Sequence, residues 1–233
     1  MNTQAAIPNT RPTPAFTFKA PWLRIAVHSI GLAPIAELIY KSLINKLTAN
    51  PIQYVEQFFG RASLDLLVIT LAVTPIVTIT GLKGLSKHRR TLGLYTFFLA
   101  VTHIIIFVAL DYGFDFKQIY TLIAQKPFLI LGTIAGVMLL ALAVTSFKYW
   151  MKLLGKNWSR LHKLVYVIGG VTILHYALSV KGSLSTLSGN IIRPIVMGFL
   201  VMILLLLRIT PIKSGIIAIR KRIEYYYRTK RTL

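Results

Sequence analysis

Six stretches of about 20 apolar residues, each long enough to cross a bilayer as a helix, occupy most of this 233-residue chain. They run over 22–41, 64–82, 91–110, 127–147, 161–180 and 190–208. In hydrocarbon, every backbone N–H and C=O must pair within its own segment. The expected fold is therefore all-α, a polytopic bundle of six transmembrane helices. The first span carries Arg24, His28, Pro34 and Glu37, so it is expected to be polar and kinked. The Pro- and Thr-rich residues 1–21 ahead of it lack the pattern of a cleaved signal peptide. The chain thus divides into an N-terminal segment (1–21), a membrane domain (22–208) and a basic tail (209–233).

The formal charge of +21 would suggest nucleic acid in a soluble protein, but its distribution points elsewhere. Of the 27 cations, 20 fall on the face that holds both termini, and 7 fall on the other. The basic loops are short and abut spans: Lys83, Lys87, Arg89 and Arg90 in one, and Lys148, Lys152, Lys156, Arg160 and Lys163 in the next. Five of the six acids, Glu37, Glu56, Asp65, Asp111 and Asp115, lie on the opposite face, which is close to neutral. The positive-inside rule then places both termini on the cytoplasmic side and argues against a nucleic-acid partner. In the tail, Ile216, Ile217, Ile219 and Ile223 interleave with Arg220, Lys221 and Arg222, the pattern of an interfacial helix against anionic membrane lipid or of a partner-docking surface.

The chain has no cysteine, so disulfides, thiolate metal sites and covalent haem attachment are excluded and any metal must rest on His, carboxylate or a cofactor. His103 lies 13 residues beyond Arg90, and His175 lies 12 beyond Lys163. At 1.5 Å per residue both stand about 18 to 20 Å above the basic boundary, on spans that run in the same direction. Two neutral imidazoles without a neighbouring thiolate or carboxylate suit bis-His haem better than zinc or calcium. His162 stands 13 residues before His175; that separation leaves about 220° of rotation on an ideal helix, so a shared face requires a break at His162.

Gly169 and Gly170, between these histidines, allow either close approach of a planar ligand or helix packing. Gly132 and Gly136, in a G-x-x-x-G arrangement, are expected to serve packing. Arg89 cannot ordinarily ligate iron and is assigned to an anionic group: a haem propionate, a flavin phosphate or lipid. His88 reads as a solvated boundary residue, and His28 needs some polar partner within the first span.

The runs Arg89-Arg90-Thr91-Leu92-Gly93-Leu94-Tyr95 with His103, Leu154 to Tyr166 (LGKNWSRLHKLVY) and His175-Tyr176 with Ser179-Val180-Lys181 resemble the MsrQ family of haem-binding membrane subunits. This family lies within the ferric-reductase-like transmembrane superfamily. Phe59-Gly60-Arg61 and Thr74-Pro75 also resemble it, so the likeness covers about residues 20 to 210. The resemblance implies a non-catalytic electron-transfer subunit of a protein-methionine-sulfoxide reductase system, with haem b and FMN as cofactors. Electrons would come from the quinone pool or a cytoplasmic flavin reductase and pass to the periplasmic molybdenum-containing subunit MsrP.

The family's iron-ligating histidines map onto His103, His162 and His175. Arg89 occupies the place of a further histidine in wider relatives, which leaves one haem or two. A stand-alone metal-ion reductase is disfavoured, since only about 25 residues follow the last span. A non-redox transporter or scaffold is the alternative from another class. It is opposed by spans three to six, which lack acids away from their boundaries. The segments 42–63, 111–126 and 181–189 are the candidate docking loops for the periplasmic partner.

Overall fold

A computed structural model describes residues 21–180, 182–183 and 188–231. The expectations placed on residues 1–20, and most of those placed on 181–189, lie outside the described residues. The helices are α1 (Pro21–Leu43), α2 (Pro51–Thr80), α3 (Arg89–Ile106), α4 (Phe116–Gln125), α5 (Pro127–Val144), α6 (Lys148–Leu154), α7 (Lys156–Leu161), α8 (Leu164–Ser179), α9 (Ile192–Leu206) and α10 (Thr210–Arg231). A 3₁₀ turn, Lys83–His88, leads into α3, and a π turn, Phe107–Asp111, leaves it. Gly182–Ser183 and Ser188–Gly189 pair as two-residue antiparallel strands. The molecule is an all-helical membrane bundle, as the apolar stretches require.

Helix α2 is the central post. Asn50 starts it, its side-chain oxygen accepting from the Gln53 N–H at 3.2 Å, and Pro51 occupies the first turn, where a missing N–H costs nothing. Gly81, at φ 78°, ends it in the left-handed conformation. At 30 residues, α2 rises about 45 Å, well beyond the roughly 30 Å hydrocarbon thickness. The expected boundary at residue 64 is therefore corrected: residues 51–63 are the first turns of α2 and not part of a loop. Gln57, Glu56 and Arg61 lower the local hydropathy without interrupting the helix. Likewise, 111–126 holds α4, capped by Asp115, whose carboxylate accepts from the Gln118 N–H at 2.9 Å.

The interior forms where α2 meets its neighbours. Leu64, Leu67, Val68 and Leu71 of α2 pack with Leu139 and Leu142 of α5, Ile168 of α8, and Val201 and Leu204 of α9. Phe59, Ala62 and Leu66 pack with Leu99 and Ile106 of α3, while Val27 of α1 closes on Val73 and Leu92. Gly169 is part of this contact: a Cβ there would stand 3.3 Å from Leu71 and 3.4 Å from Val201. Helix packing is therefore the use of Gly169, while a Cβ on Gly170 would meet nothing within 4 Å. Large apolar side chains such as Phe98, Val137 and Phe199 face outward, as a lipid-exposed surface demands. Lipid tails are as apolar as leucine, so close packing and hydrogen bonds hold such helices together. The buried Ser63 hydroxyl supplies one such bond, donating to the Thr96 carbonyl at 2.9 Å.

Five helical stretches among the described residues are long and apolar enough to cross a membrane, and α9 with α10 makes a sixth candidate. Alone, α9 has 15 residues and rises only about 22 Å. The chain bends by 74° between α9 and α10, so the expected span over 190–208 ends at a corner. Arg220 of α10 sits at the C-terminus of α2 and donates to the carbonyls of Val77 (3.3 Å) and Thr78 (2.8 Å). The Val77 carbonyl also accepts the Gly81 N–H at 2.9 Å, and a cation at this helix end complements the helix dipole.

Candidate cofactor site

Two groups of side chains stand at different levels of the bundle. The first is near the neutral end. His103, in the last turn of α3, and His175, near the end of α8, face each other with ring centroids 6.5 Å apart and planes at 73°. A carbonyl oxygen only accepts, so each ring nitrogen bonded to one must donate. The Glu56 carbonyl receives His103 Nδ1 at 2.9 Å, and the Phe128 carbonyl receives His175 Nδ1 at 2.7 Å. Both imidazoles are thereby fixed in the tautomer whose Nε2 lone pair is available. The expectation of a pair with no carboxylate beside it is corrected: the Glu56 carboxylate stands 3.8 Å from His103, though on its Nδ1 side, and the Phe128 ring lies beside His175, with centroids 6.1 Å apart.

Each ring rests on a glycine. A Cβ on Gly132 would lie 2.9 Å from His175, and one on Gly60 would lie 3.2 Å from His103. The packing role expected for Gly132 is thus corrected: the missing side chain makes room for an imidazole. Gly136, by contrast, faces Ile104 at 3.2 Å and serves helix packing as expected.

The donor set fits a planar iron macrocycle. A metal–imidazole bond of about 2 Å on each side, plus each nitrogen's distance to its ring centre, separates two opposed ligand centroids by roughly 6 Å. The observed 6.5 Å matches that requirement. A carbonyl on the far nitrogen is the usual support of a metal-binding histidine. No group of three or more His, Cys, Asp or Glu that could hold a metal ion occurs among the described residues.

The second group is at the basic end. His162 caps α7 and precedes α8, so the helix breaks at this histidine. Its ring stacks on Trp158 at 4.1 Å and 30°, and its Nδ1 donates to the Trp158 carbonyl at 3.1 Å. The Ser146 hydroxyl lies 3.5 Å from Nε2. Trp158 is itself pinned, its indole N–H donating to the Thr145 carbonyl at 2.8 Å.

Arg89 opens α3 and donates to the Thr74 hydroxyl at 3.1 Å. Arg208, the last residue of the expected 190–208 span, reaches back into the bundle. It donates to the Leu71 carbonyl at 2.6 Å and lies 4.7 Å over the Tyr166 ring. Pro75, four residues after Leu71, has no N–H and leaves that carbonyl unclaimed. The pairing of Leu71 with Pro75 was the sequence signal for an incoming donor.

His103 and His175 are brought together, while His162 and Arg89 belong to the other level. His28 pairs through Nδ1 with the Tyr95 hydroxyl at 2.8 Å, which meets its need for a polar partner, and His88 ends the 3₁₀ turn half-buried.

The model of the ferric reductase like transmembrane component family matches residues 59–173, a range that holds Arg89, His103 and His162 and ends two residues before His175. A relative from Xanthomonas axonopodis pv. citri (strain 306) is 39% identical over 164 residues, covering 68% of this chain and 75% of the relative. One from Xanthomonas campestris pv. campestris (strain B100) is 40% identical over 167 residues, covering 69% and 77%. A third, from Ralstonia nicotianae, is 41% identical over 155 residues, covering 66% and 71%. All three are named protein-methionine-sulfoxide reductase heme-binding subunit MsrQ. With this identity over most of both chains, the protein belongs to the MsrQ family of ferric-reductase-like membrane proteins.

Proposed function

We propose that this chain is the electron-transfer subunit of a methionine-sulfoxide reductase system, with haem b held by His103 and His175. The observation that carries the proposal is the opposed imidazole pair: 6.5 Å between centroids, both Nδ1 atoms donating to carbonyls, and a glycine under each ring. The named function of its relatives supports the same reading.

When bound, haem supplies a one-electron ferric/ferrous couple at this level of the membrane. The chain's own residues prepare the site. The Glu56 and Phe128 carbonyls hold the rings in the ligating tautomer and raise their basicity. Gly60 and Gly132 let the rings sit against α2 and α5. Preset geometry reduces the reorganisation that accompanies a change of charge. No acid–base pair is needed, because reduction of the sulfoxide belongs to the catalytic partner.

The charge distribution assigns direction. The basic end faces the cytoplasm of the bacterial inner membrane and the neutral end faces the periplasm. Electrons enter from the quinone pool or a flavin reductase, with FMN as the cofactor of the basic end near His162 and Arg89. They leave to a periplasmic molybdenum-containing partner, MsrP, that docks on the neutral end around residues 44–50 and α4.

A pyridine haemochrome spectrum of the purified full chain tests the proposal. Haem b is expected, and His103→Ala and His175→Ala are each expected to abolish low-spin absorbance. A colourless wild-type protein, or low-spin haem surviving either substitution, contradicts it.

A further inference from the structure

Arg89 and Arg208 come from opposite ends of the sequence, yet both are anchored on one short piece of α2. Arg89 holds Thr74, and Arg208 holds Leu71, three residues earlier. Positions three apart on a helix are neighbours on its surface, so the two guanidiniums converge. Arg208 is further fixed over the Tyr166 ring, and its Nε is buried with no hydrogen-bond partner.

Among the described residues, no acid balances this pair. Glu37 is paired with Lys41, Asp65 with Arg193 and Glu224 with Arg220. Glu56 stands beside His103, and Asp115 caps α4. Asp111 ends the π turn after α3, away from Arg89 at the start of that helix. Two converging cations, one with an unpaired buried donor, are costly to keep together without an anion.

The anion is not a group held by His103 and His175. Arg89 precedes His103 by 14 residues, about 21 Å along α3, so the guanidinium pair serves a second ligand. One carboxylate is matched by one guanidinium fork. A phosphate monoester carries about −1.5 to −2 charge and three acceptor oxygens, and so matches two guanidiniums.

We propose that Arg89 and Arg208 clamp a phosphate monoester at the basic end of the bundle, beside Tyr166 and one turn from His162. This rests on the electron-transfer reading for its meaning but not for its geometry. Two sources share the chemistry: the 5′-phosphate of FMN and the headgroup of phosphatidic acid.

The test uses the full chain in nanodiscs of phosphatidylcholine, with FMN and riboflavin as probes followed by flavin fluorescence. If FMN is the source, FMN binds at least about tenfold more tightly than riboflavin. Arg89→Gln and Arg208→Gln then remove that preference, Arg208→Lys keeps part of it, and Arg222→Gln on exposed α10 keeps all of it. If the headgroup is the source, FMN and riboflavin bind alike. Nanodiscs doped with phosphatidic acid then retain that lipid around wild type but not around either glutamine variant. Either result supports the clamp.

A monodisperse elution profile and a wild-type thermal midpoint report folding. Should Arg208→Gln fail them, exposed Arg89→Gln with Arg208→Lys decides the matter. The proposal is overturned if no phosphate dependence changes in these variants, or if they instead lose one haem equivalent, which would make the anion a propionate. Flavin and lipid binding are read without haem, so a failed clamp and a failed haem assignment give different results.

Discussion

The two levels of this bundle would hold their proposed ligands in different ways. Near the neutral end, the site is made of shape. Two imidazoles are seated on glycines and locked by backbone carbonyls, and neither ring nitrogen on the locked side has freedom to turn. Near the basic end, the site is made of charge. Two guanidiniums hang from α2 by single hydrogen bonds, and one keeps a buried donor unpaired. A shaped site fails when a methyl group is added, while a charged site fails when a cation is removed.

That contrast can be broken from either side, and the largest effect is expected at Gly132. A Cβ there would lie 2.9 Å from the His175 ring, closer than such contacts normally come, so the imidazole must move. Gly132→Ala is expected to lower haem affinity by about tenfold or more, read as haem per protein after dilution into haem-free buffer. Gly60→Ala, whose Cβ would stand at 3.2 Å from His103, is expected to have the same sign and a smaller size. Equal retention of haem in both variants would show that shape is not what holds the site.

The next effect is expected on the charged level alone. Pro75→Ala restores an N–H to the Leu71 carbonyl and sets it in competition with Arg208. FMN preference over riboflavin should weaken while the haem spectrum stays as in wild type. Trp158→Ala removes the stack under His162 and a hydrogen bond to Thr145. It should disturb flavin fluorescence at the basic end and leave the absorbance of the His103–His175 pair unchanged. A change in that absorbance in either variant would mean that the levels are coupled.

The smallest effect lies outside both sites. Asn50→Ala removes the N-cap of α2 and is expected to cost about 1 kcal/mol. The readout is a modest fall in the thermal midpoint in detergent, with haem stoichiometry preserved.

The sequence exposed the shaped site more fully than the charged one. Depth follows from counting residues outward from a basic boundary, so His103 and His175 were placed at one level from arithmetic alone. That they point at each other depends on how α3 and α8 roll against α2 and α5, which no single helix encodes. His162 was legible only in part: a face shared with His175 would need a break there, and α7 does end at His162, but the break alone does not bring the two rings to one face.

Arg208 was hidden for the opposite reason. In sequence it is the last residue of the expected 190–208 span, and only the 74° corner after α9 turns it inward toward the carbonyl that Pro75 leaves free. The early start of α2 was concealed by Glu56 and Arg61, although Asn50 followed by Pro51 marked it. Hydropathy reports where lipid lies, whereas capping residues report where a helix starts, and α2 outruns the membrane.

The central claim is that His103 and His175 ligate one iron from opposite sides, and low-temperature electron paramagnetic resonance of the oxidised full chain tests it most directly. Imidazole planes at 73° predict a strongly anisotropic low-spin ferric signal, lost with either His103→Ala or His175→Ala and retained with His162→Ala. A high-spin signal in wild type, or a low-spin signal that disappears only with His162→Ala, would contradict it.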